Sequence, residues 1–433
     1  MAISKDGSTF SNWAGNQIAA PVRIDRPRSE QQLAASVTEA ANRGWTVKAV
    51  GAGHSFTDIA LTSGLLLDLS QYSQVLKVDG NLVTVQSGIR LHDLAKSLAS
   101  HGLALPNLGD IDAQSIAGAI STGTHGTGLG FEGVASCVVA MRVVTGDGEL
   151  LDLDEAQLRV GRVGLGAAGL ISTVTLNCVP EFWLRAQEDR RTLDEMLELF
   201  DVWTDEYDHA EFFWMPHTNK VLTKRNTRLF DEPHPVSRLK RARGRLATEL
   251  SENVAYGALC RLGKSRPELI PRLAKAVVSG ASERTYTAPS WEVFATPRRV
   301  KFVEMEYAIP REVWTSAFKE VQHLIDVIDE PVNFPIEVRV LGGDDISMSM
   351  ANGRDSVFIA VHNYRGMAYE RYFRGVESIM KRYEGRPHWG KLHYRIAEDL
   401  EPAYPDWDRF QALRQELDAP GTFHNPYLKR VLD

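Results

Sequence analysis

Cysteine is scarce in this chain: Cys137, Cys178 and Cys260 lie far apart with no Cys-x-x-Cys spacing, which argues against a disulfide framework or a zinc site. Long apolar runs are also missing. No segment stays hydrophobic for the roughly 20 residues that a bilayer crossing needs, and Met1 to Trp13 carries Ser, Lys, Asp, Gly and Asn where a secretory leader needs an apolar stretch. Basic charge is not in excess either: 49 Lys and Arg stand against 56 Asp and Glu, a formal net charge of -7, so the composition attracts neither nucleic acid nor an anionic membrane. The expectation is a soluble, cytoplasmic protein with no integral membrane segment, no nucleic-acid partner and no bound metal; peripheral contact with a membrane is compatible with it.

The 433 residues, 43% hydrophobic and 24% charged, exceed what one core usually organises and predict two domains. The first third reads as short strands and helices. Ser29 with Gln32 marks a helix start, Leu33, Val37 and Ala40 or Ala41 give its apolar stripe, and Gly44 stops it. Thr46–Val50, Gly64–Leu69 and Leu82–Gln86 read as strands, Leu91–His101 as a helix ending at Gly102. Cys137–Val144 and Glu149–Leu153 flank a Gly146-Asp147-Gly148 turn as a hairpin, Leu170–Val179 is a strand, and Pro180 closes the unit. Farther on, Arg238, Lys240, Arg241, Arg243 and Arg245 form a basic cluster after Pro233 and Pro235, read as a solvated surface, with a docking patch for an acidic electron acceptor as the alternative.

Two segments are too rich in glycine for element interiors and must serve as bare backbone. Gly51-Ala52-Gly53-His54-Ser55 follows a strand but has Phe56 where a nicotinamide dinucleotide fingerprint needs glycine. Its amides can still form a nest for a pyrophosphate. Gly118 to Gly130 is a second such surface. Two glycine loops in one domain imply one sizeable phosphorylated ligand.

Three later segments alternate at the strand period. Val303, Met305, Tyr307 and Ile309 oppose Glu304 and Glu306; Phe334, Ile336, Val338 and Val340 oppose Glu337 and Arg339; His362 and Tyr364 share a face. An antiparallel sheet with one wet face would explain such charges. Glu, Arg, His and Tyr, however, are the groups that position hydroxyls and stabilise developing charge, so the pattern also predicts a sheet roofing an active site.

Gly51–Asp58, Ser115–Gly128, Leu165–Val174 and Arg386-Pro-His-Trp-Gly-Lys391 resemble, in this order, the aldonolactone oxidoreductases and alditol oxidases of the vanillyl-alcohol-oxidase-like flavoproteins, with similarity from Asn12 to Leu432. The resemblance implies an α+β, two-domain VAO/PCMH-type fold: an FAD-binding α/β domain over 1–180, with about 400–433 packing back on it, and a substrate (cap) domain over 181–400 with an antiparallel sheet flanked by helices. It implies FAD tethered through His54 and lying along Val50, Gly51, Ala52, Gly53, His54, Ser55, Ser115, Gly118, Thr122, Gly123, Thr124, His125, Gly126 and Ile171, with His125 structural rather than catalytic. Lys391, Arg339 and Glu337 are the implied catalytic residues, and Ser115, Glu304, His362 and Tyr364 the implied substrate contacts. The implied reaction is oxidation of a sugar-derived secondary alcohol, foremost an aldono-1,4-lactone such as L-gulono-1,4-lactone, to the 2-keto-lactone. Alditol (xylitol or sorbitol) oxidation yielding hydrogen peroxide is the alternative. Glu304 and Tyr364 stand where alditol oxidases carry glutamine and threonine, which weakens the polyol reading. The electron acceptor is oxygen, a quinone, a cytochrome or a dye, the resemblance leaning towards the last three.

Overall fold

The computed structural model describes residues 2–4, 7–231, 254–296 and 298–433; the cluster Arg238 to Arg245 lies outside them. Near the start, a parallel trio is built from β1 (Arg23–Asp25), β2 (Val47–Val50) and β3 (Leu65–Asp68), in the order β1-β3-β2. Between β1 and β2 runs α1 (Glu30–Asn42), which begins where the Gln32 amide donates to Ser29 Oγ at 3.2 Å and buries Leu33, Val37 and Ala40 against the trio. The capping bond satisfies an otherwise orphan amide of the first turn. Gly44, at φ +65°, adopts the left-handed turn that ends the helix.

A second sheet, fully antiparallel, holds β4 (Val75–Asp79), β5 (Leu82–Gln86), β6 (Val138–Val144), β7 (Leu150–Asp152) and β8 (Leu170–Asn177), in the order β7-β6-β8-β5-β4. Helices α2 (Leu91–Ala99) and α3 (Ile116–Ser121) pack in the core beside it.

The largest sheet is eight-stranded and antiparallel: β9 (Trp183–Arg191), β10 (His209–Trp214), β11 (Val221–Leu229), β12 (Arg284–Pro289), β13 (Phe302–Pro310), β14 (Ile336–Leu341), β15 (Ser356–Tyr364) and β16 (Arg386–Pro387), in the order β12-β9-β11-β10-β14-β15-β13-β16. The expected alternation decides its orientation. Val303, Met305, Tyr307, Ile336, Val338, Ile359 and Val361 pack on α4 (Leu193–Glu206), α5 (Trp314–Val327) and α6 (Glu370–Arg382), each such side chain stabilising the fold by about 1.5–3 kcal/mol. The polar residues between them must then face the other way, towards the glycine loops. That face is dry: Glu304, Glu306, Glu337, Arg339 and His362 are 4%, 1%, 5%, 5% and 7% exposed, which overturns the wet-face alternative.

The two regions are stitched together. The Thr127 hydroxyl donates to the Ala210 carbonyl of β10 at 2.6 Å and accepts from the Val340 amide of β14 at 3.2 Å, while the Gly128 amide donates to the Val340 carbonyl at 2.8 Å. Two C-terminal helices, α7 (Trp407–Leu417) and α8 (Pro426–Leu432), send Trp407, Phe410, Leu413 and Leu428 into the core that holds Leu153 and Leu158. Between those helices the Thr422 carbonyl accepts the Val47 amide at 2.7 Å.

Candidate active site

A cleft enclosing about 990 Å³ runs along the end of β2 and the N-terminal turn of α3. Val50, Gly51, Ala52, Gly53, His54, Ser55, Ser115, Gly118, Thr122 and Ile171 all line it. Glycine is required where the loop crosses the helix start: a Cβ on Gly51 would lie 1.8 Å from Ser115 Oγ. The Gly53 turn has φ +64°, a conformation glycine adopts without steric cost. Arg90 holds the loop by donating to the Gly51 carbonyl at 3.2 Å. Among the described residues, the amides of Ala52, Gly53, His54 and Ser55 donate to no protein acceptor, so a row of N–H groups is left for an anion, as in a phosphate-binding nest. The site thus fits a long dinucleotide.

His54, Ser55, Gln114 and Thr122 also line a second cavity of about 640 Å³, so the two spaces share a wall. Burial pushes the His54 imidazole down to about 4, helped by the positive charge of Arg90, so the ring is neutral with a lone pair free. Trp13 stacks on it at 5.3 Å.

Strand register builds the second cavity. Glu304 pairs with His362, Ala360 pairs with both Glu306 and Glu337, and Arg339 pairs with Glu211, so six polar side chains share one face around a single alanine. Lys391, from the turn after β16, lies with Nζ 2.6 Å from Glu304 and 2.8 Å from Glu306. His362 donates from Nδ1 to the Pro335 carbonyl at 3.0 Å and sets Nε2 3.2 Å from Glu304. His125 reaches Glu306 at 3.1 Å and the Gly126 carbonyl at 2.8 Å, tying the glycine loop to the sheet. Phe56, Ile111 and Phe302 give the same cavity an apolar part, Phe302 from the strand face that carries Glu304.

Charge counting assigns the protons. Burial alone would neutralise Lys391, but Glu304 and Glu306 outweigh it and hold the ammonium well above the usual range. The same attraction, against burial, keeps both carboxyls below theirs. His362 is raised because Glu304 outweighs its burial. Arg339 faces three acids: Glu337, Glu211 at 2.8 Å and Asp110 at 3.5 Å. Asp110 has a second cation, Arg298 at 3.0 Å, and Glu211 has Lys224 at 3.7 Å. Among the described residues Glu337 has no second cation within 4 Å, and burial, with Arg339 shared and Asp110 and Glu211 repelling, pushes it up to about 8. It is an acid that keeps its proton at neutral pH.

The structure brings Lys391, Arg339, Glu337, Glu304 and His362 together around one cavity, which Thr124 and His125 also line. Ser115 lies instead in the dinucleotide cleft, where its hydroxyl accepts the Gly118 amide at 3.3 Å and caps α3. Tyr364 is on the same strand face but stacks on Phe334 in an aromatic cluster at the rim. Gly123 and Gly126 stand behind the linings; a Cβ on Gly126 would lie 2.4 Å from Asn107 Oδ1. Sequence reasoning missed Asp110, Glu211 and His388. Asp110 sits in an irregular loop, and Glu211 shows its role only through its pairing with Arg339. His388, pushed down to about 3 by burial and by Lys391, stands beside a motif that had already been noted. The oxygens and nitrogens of Glu304, Glu337 and His362, and of His125, Glu306 and His388, lie within 4.8 Å of one another, but the cation between Glu304 and Glu306 is the Lys391 ammonium.

Comparison with known proteins places this geometry. An FAD-binding domain model matches residues 21–154, and a D-arabinono-1,4-lactone oxidase model matches 174–431. The chain is 46% identical to the L-gulono-1,4-lactone dehydrogenase of Mycobacterium tuberculosis over 98% of this chain and 99% of that one, and 34% identical to the L-gulonolactone oxidase of Bos taurus over the full length of both. Its fold is that of a solvent-stable cholesterol oxidase, with a TM-score of 0.85 at 19% identity, covering 97% of this chain and 96% of the other. An FAD-binding domain therefore spans the strand and the two glycine loops that form most of the cleft, no helix among the described residues is long and apolar enough to cross a membrane, and the chain belongs to the D-arabinono-1,4-lactone oxidase family of FAD-dependent oxidoreductases.

Proposed function

We propose that this protein oxidises the secondary alcohol of an aldono-1,4-lactone, L-gulono-1,4-lactone or a close isomer, to the 2-keto-lactone. The observation that carries the reading is the convergence of Lys391, Arg339, Glu337, Glu304 and His362 on a cavity sharing His54, Ser55, Gln114 and Thr122 with the FAD cleft. The names of the two curated relatives support the lactone. Residues 1–180, with about 400–433, are read as the cofactor-holding unit and 181–400 as the substrate unit.

FAD in the cleft supplies a hydride acceptor. The protein does the rest. Phe56 and Phe302 present an apolar part to the C–H face of a sugar ring, while the charged side chains take its hydroxyls. Lys391 and Arg339, both held protonated, stabilise negative charge developing on the substrate oxygen; such preorganised donors are worth about 10²–10³ in rate. Glu337 orients the reacting hydroxyl and, once ionised, takes its proton. His54, neutral and at the junction of the two spaces, would be the residue to hold the flavin there covalently. Glu304, Glu306, Glu337, Arg339 and His362 are all buried, which limits their contact with bulk water.

The test is anaerobic bleaching of the purified flavoprotein by a panel of aldono-1,4-lactones and of polyols such as xylitol and sorbitol. Rapid bleaching by lactones alone supports the proposal; bleaching by polyols alone assigns the alditol reaction. Reoxidation by oxygen, a quinone or cytochrome c then identifies the acceptor class.

A further inference from the structure

The FAD cleft has two ends. One meets the substrate cavity at His54; the other, beyond β2, is lined by Lys48, Leu165, Gly166, Gly169, Ile171 and Phe423. Lys48 is the only charged residue among the described residues that line this cleft. It is 4% exposed, and no carboxylate lies within 4 Å of its nitrogen among the described residues; the carboxyl that acts on it, Asp418, caps the amides of Thr422 and Phe423 at 2.7 and 2.8 Å. Lys48 Nζ donates to the carbonyls of Gly166 at 2.9 Å and Phe423 at 3.2 Å. An ammonium has three N–H groups, so one is left with no acceptor among the described residues.

A buried cation without an ion-pair partner is costly to keep, and burial brings its ionisation down to about 7. A dianionic dinucleotide entering the cleft would supply what the protein omits. The isoalloxazine must lie at the His54 end for the alcohol carbon to reach it, so the other half of FAD extends towards Lys48.

We infer that Lys48 is the anchor for the ADP half of FAD, its free N–H and its charge selecting the dinucleotide over flavin mononucleotide. This rests on the assignment of the cleft to FAD and adds to it a residue that discriminates between two flavins. The Gly166 turn and the C-terminal turn at Phe423 are positioning elements, since their carbonyls aim the ammonium.

The experiment titrates the full chain, stripped of flavin in a His54→Ala background so that binding is reversible, with FAD, FMN and riboflavin, following flavin fluorescence. Substituting Lys48→Met should raise the Kd for FAD about 10- to 100-fold, the worth of one charge-assisted hydrogen bond, and leave FMN and riboflavin unchanged; Lys48→Arg should recover part of the FAD affinity. ADP should compete with FAD in the Lys48 protein and poorly in the Met variant. An equal loss for FAD and FMN, or no loss for either, overturns the inference. If the stripped Lys48 protein binds no flavin at all, the assignment of the cleft itself fails instead. Should Lys48→Met not fold, Lys48→Gln, which keeps a donor for the two carbonyls, carries the same comparison.

Discussion

Arg339 and Glu337 lie two residues apart on one strand and touch through their side chains, yet the carboxyl is pushed up rather than down, because burial outweighs the guanidinium and Asp110 and Glu211 add their repulsion. The protonation of Glu337 is therefore set by residues from three places in the chain, and it can be moved from each.

The first expectation concerns stability. Glu337 titrates near 4.5 in the unfolded chain and near 8 when folded, so it favours the folded state most below pH 4.5 and loses that contribution as pH rises to about 8. In Glu337→Gln this loss disappears. Melting temperatures at pH 5 and 8.5 should show the wild type falling further than the variant; parallel falls would show that Glu337 does not hold the extra proton.

The second concerns rate. With Glu337 as proton acceptor, anaerobic flavin reduction should rise with pH and level off near 8, and Glu337→Gln should flatten the profile at a low rate. Asp110→Asn removes one of the negative charges that raise Glu337, so its rising limb should move to lower pH while substrate still saturates. An unmoved limb in stopped-flow traces would leave Asp110 a purely structural residue.

Lys391→Met should keep bound flavin and slow its reduction by about 10²–10³. Removal of the ammonium also leaves Glu304 and Glu306 as buried neighbours without their shared cation, at a cost of about 3–5 kcal/mol. Urea unfolding and single-turnover reduction separate the two effects, and reduction at the wild-type rate in folded protein would remove Lys391 from the chemistry.

His54→Ala should bind FAD but release it to the supernatant on acid precipitation, whereas wild-type pellets stay yellow. Colourless wild-type pellets would leave the flavin untethered.

Gly51→Ala should yield protein with little flavin, because its new methyl would lie 1.8 Å from Ser115 Oγ where the loop meets α3. Flavin absorbance per mole of purified protein measures this directly.

Much of this was legible in the amino-acid order because local physics dictates it. Ser29 caps the first helix as its spacing with Gln32 predicts, and helix ends differ by a residue or two, Leu91–Ala99 against Leu91–His101. Alternation placed Glu304, Glu306, Glu337, Arg339 and His362 on one side each of their own strands. What alternation cannot give is which strands are neighbours: that Ala360 lies between Glu306 and Glu337, or that Glu211 pairs with Arg339, follows only from the register of the eight-stranded sheet. Tyr364 has the right parity but lies at the strand's end, where aromatic packing takes it. Lys48 looked like any polar residue of a short strand; its burial depends on Phe423, hundreds of residues away.

The attachment of Thr127 and Gly128 to both β10 and β14 has a mechanical result. A loop sewn into two sheet strands resists bending at that point, so any displacement of the glycine loop has to be shared by β10 and β14.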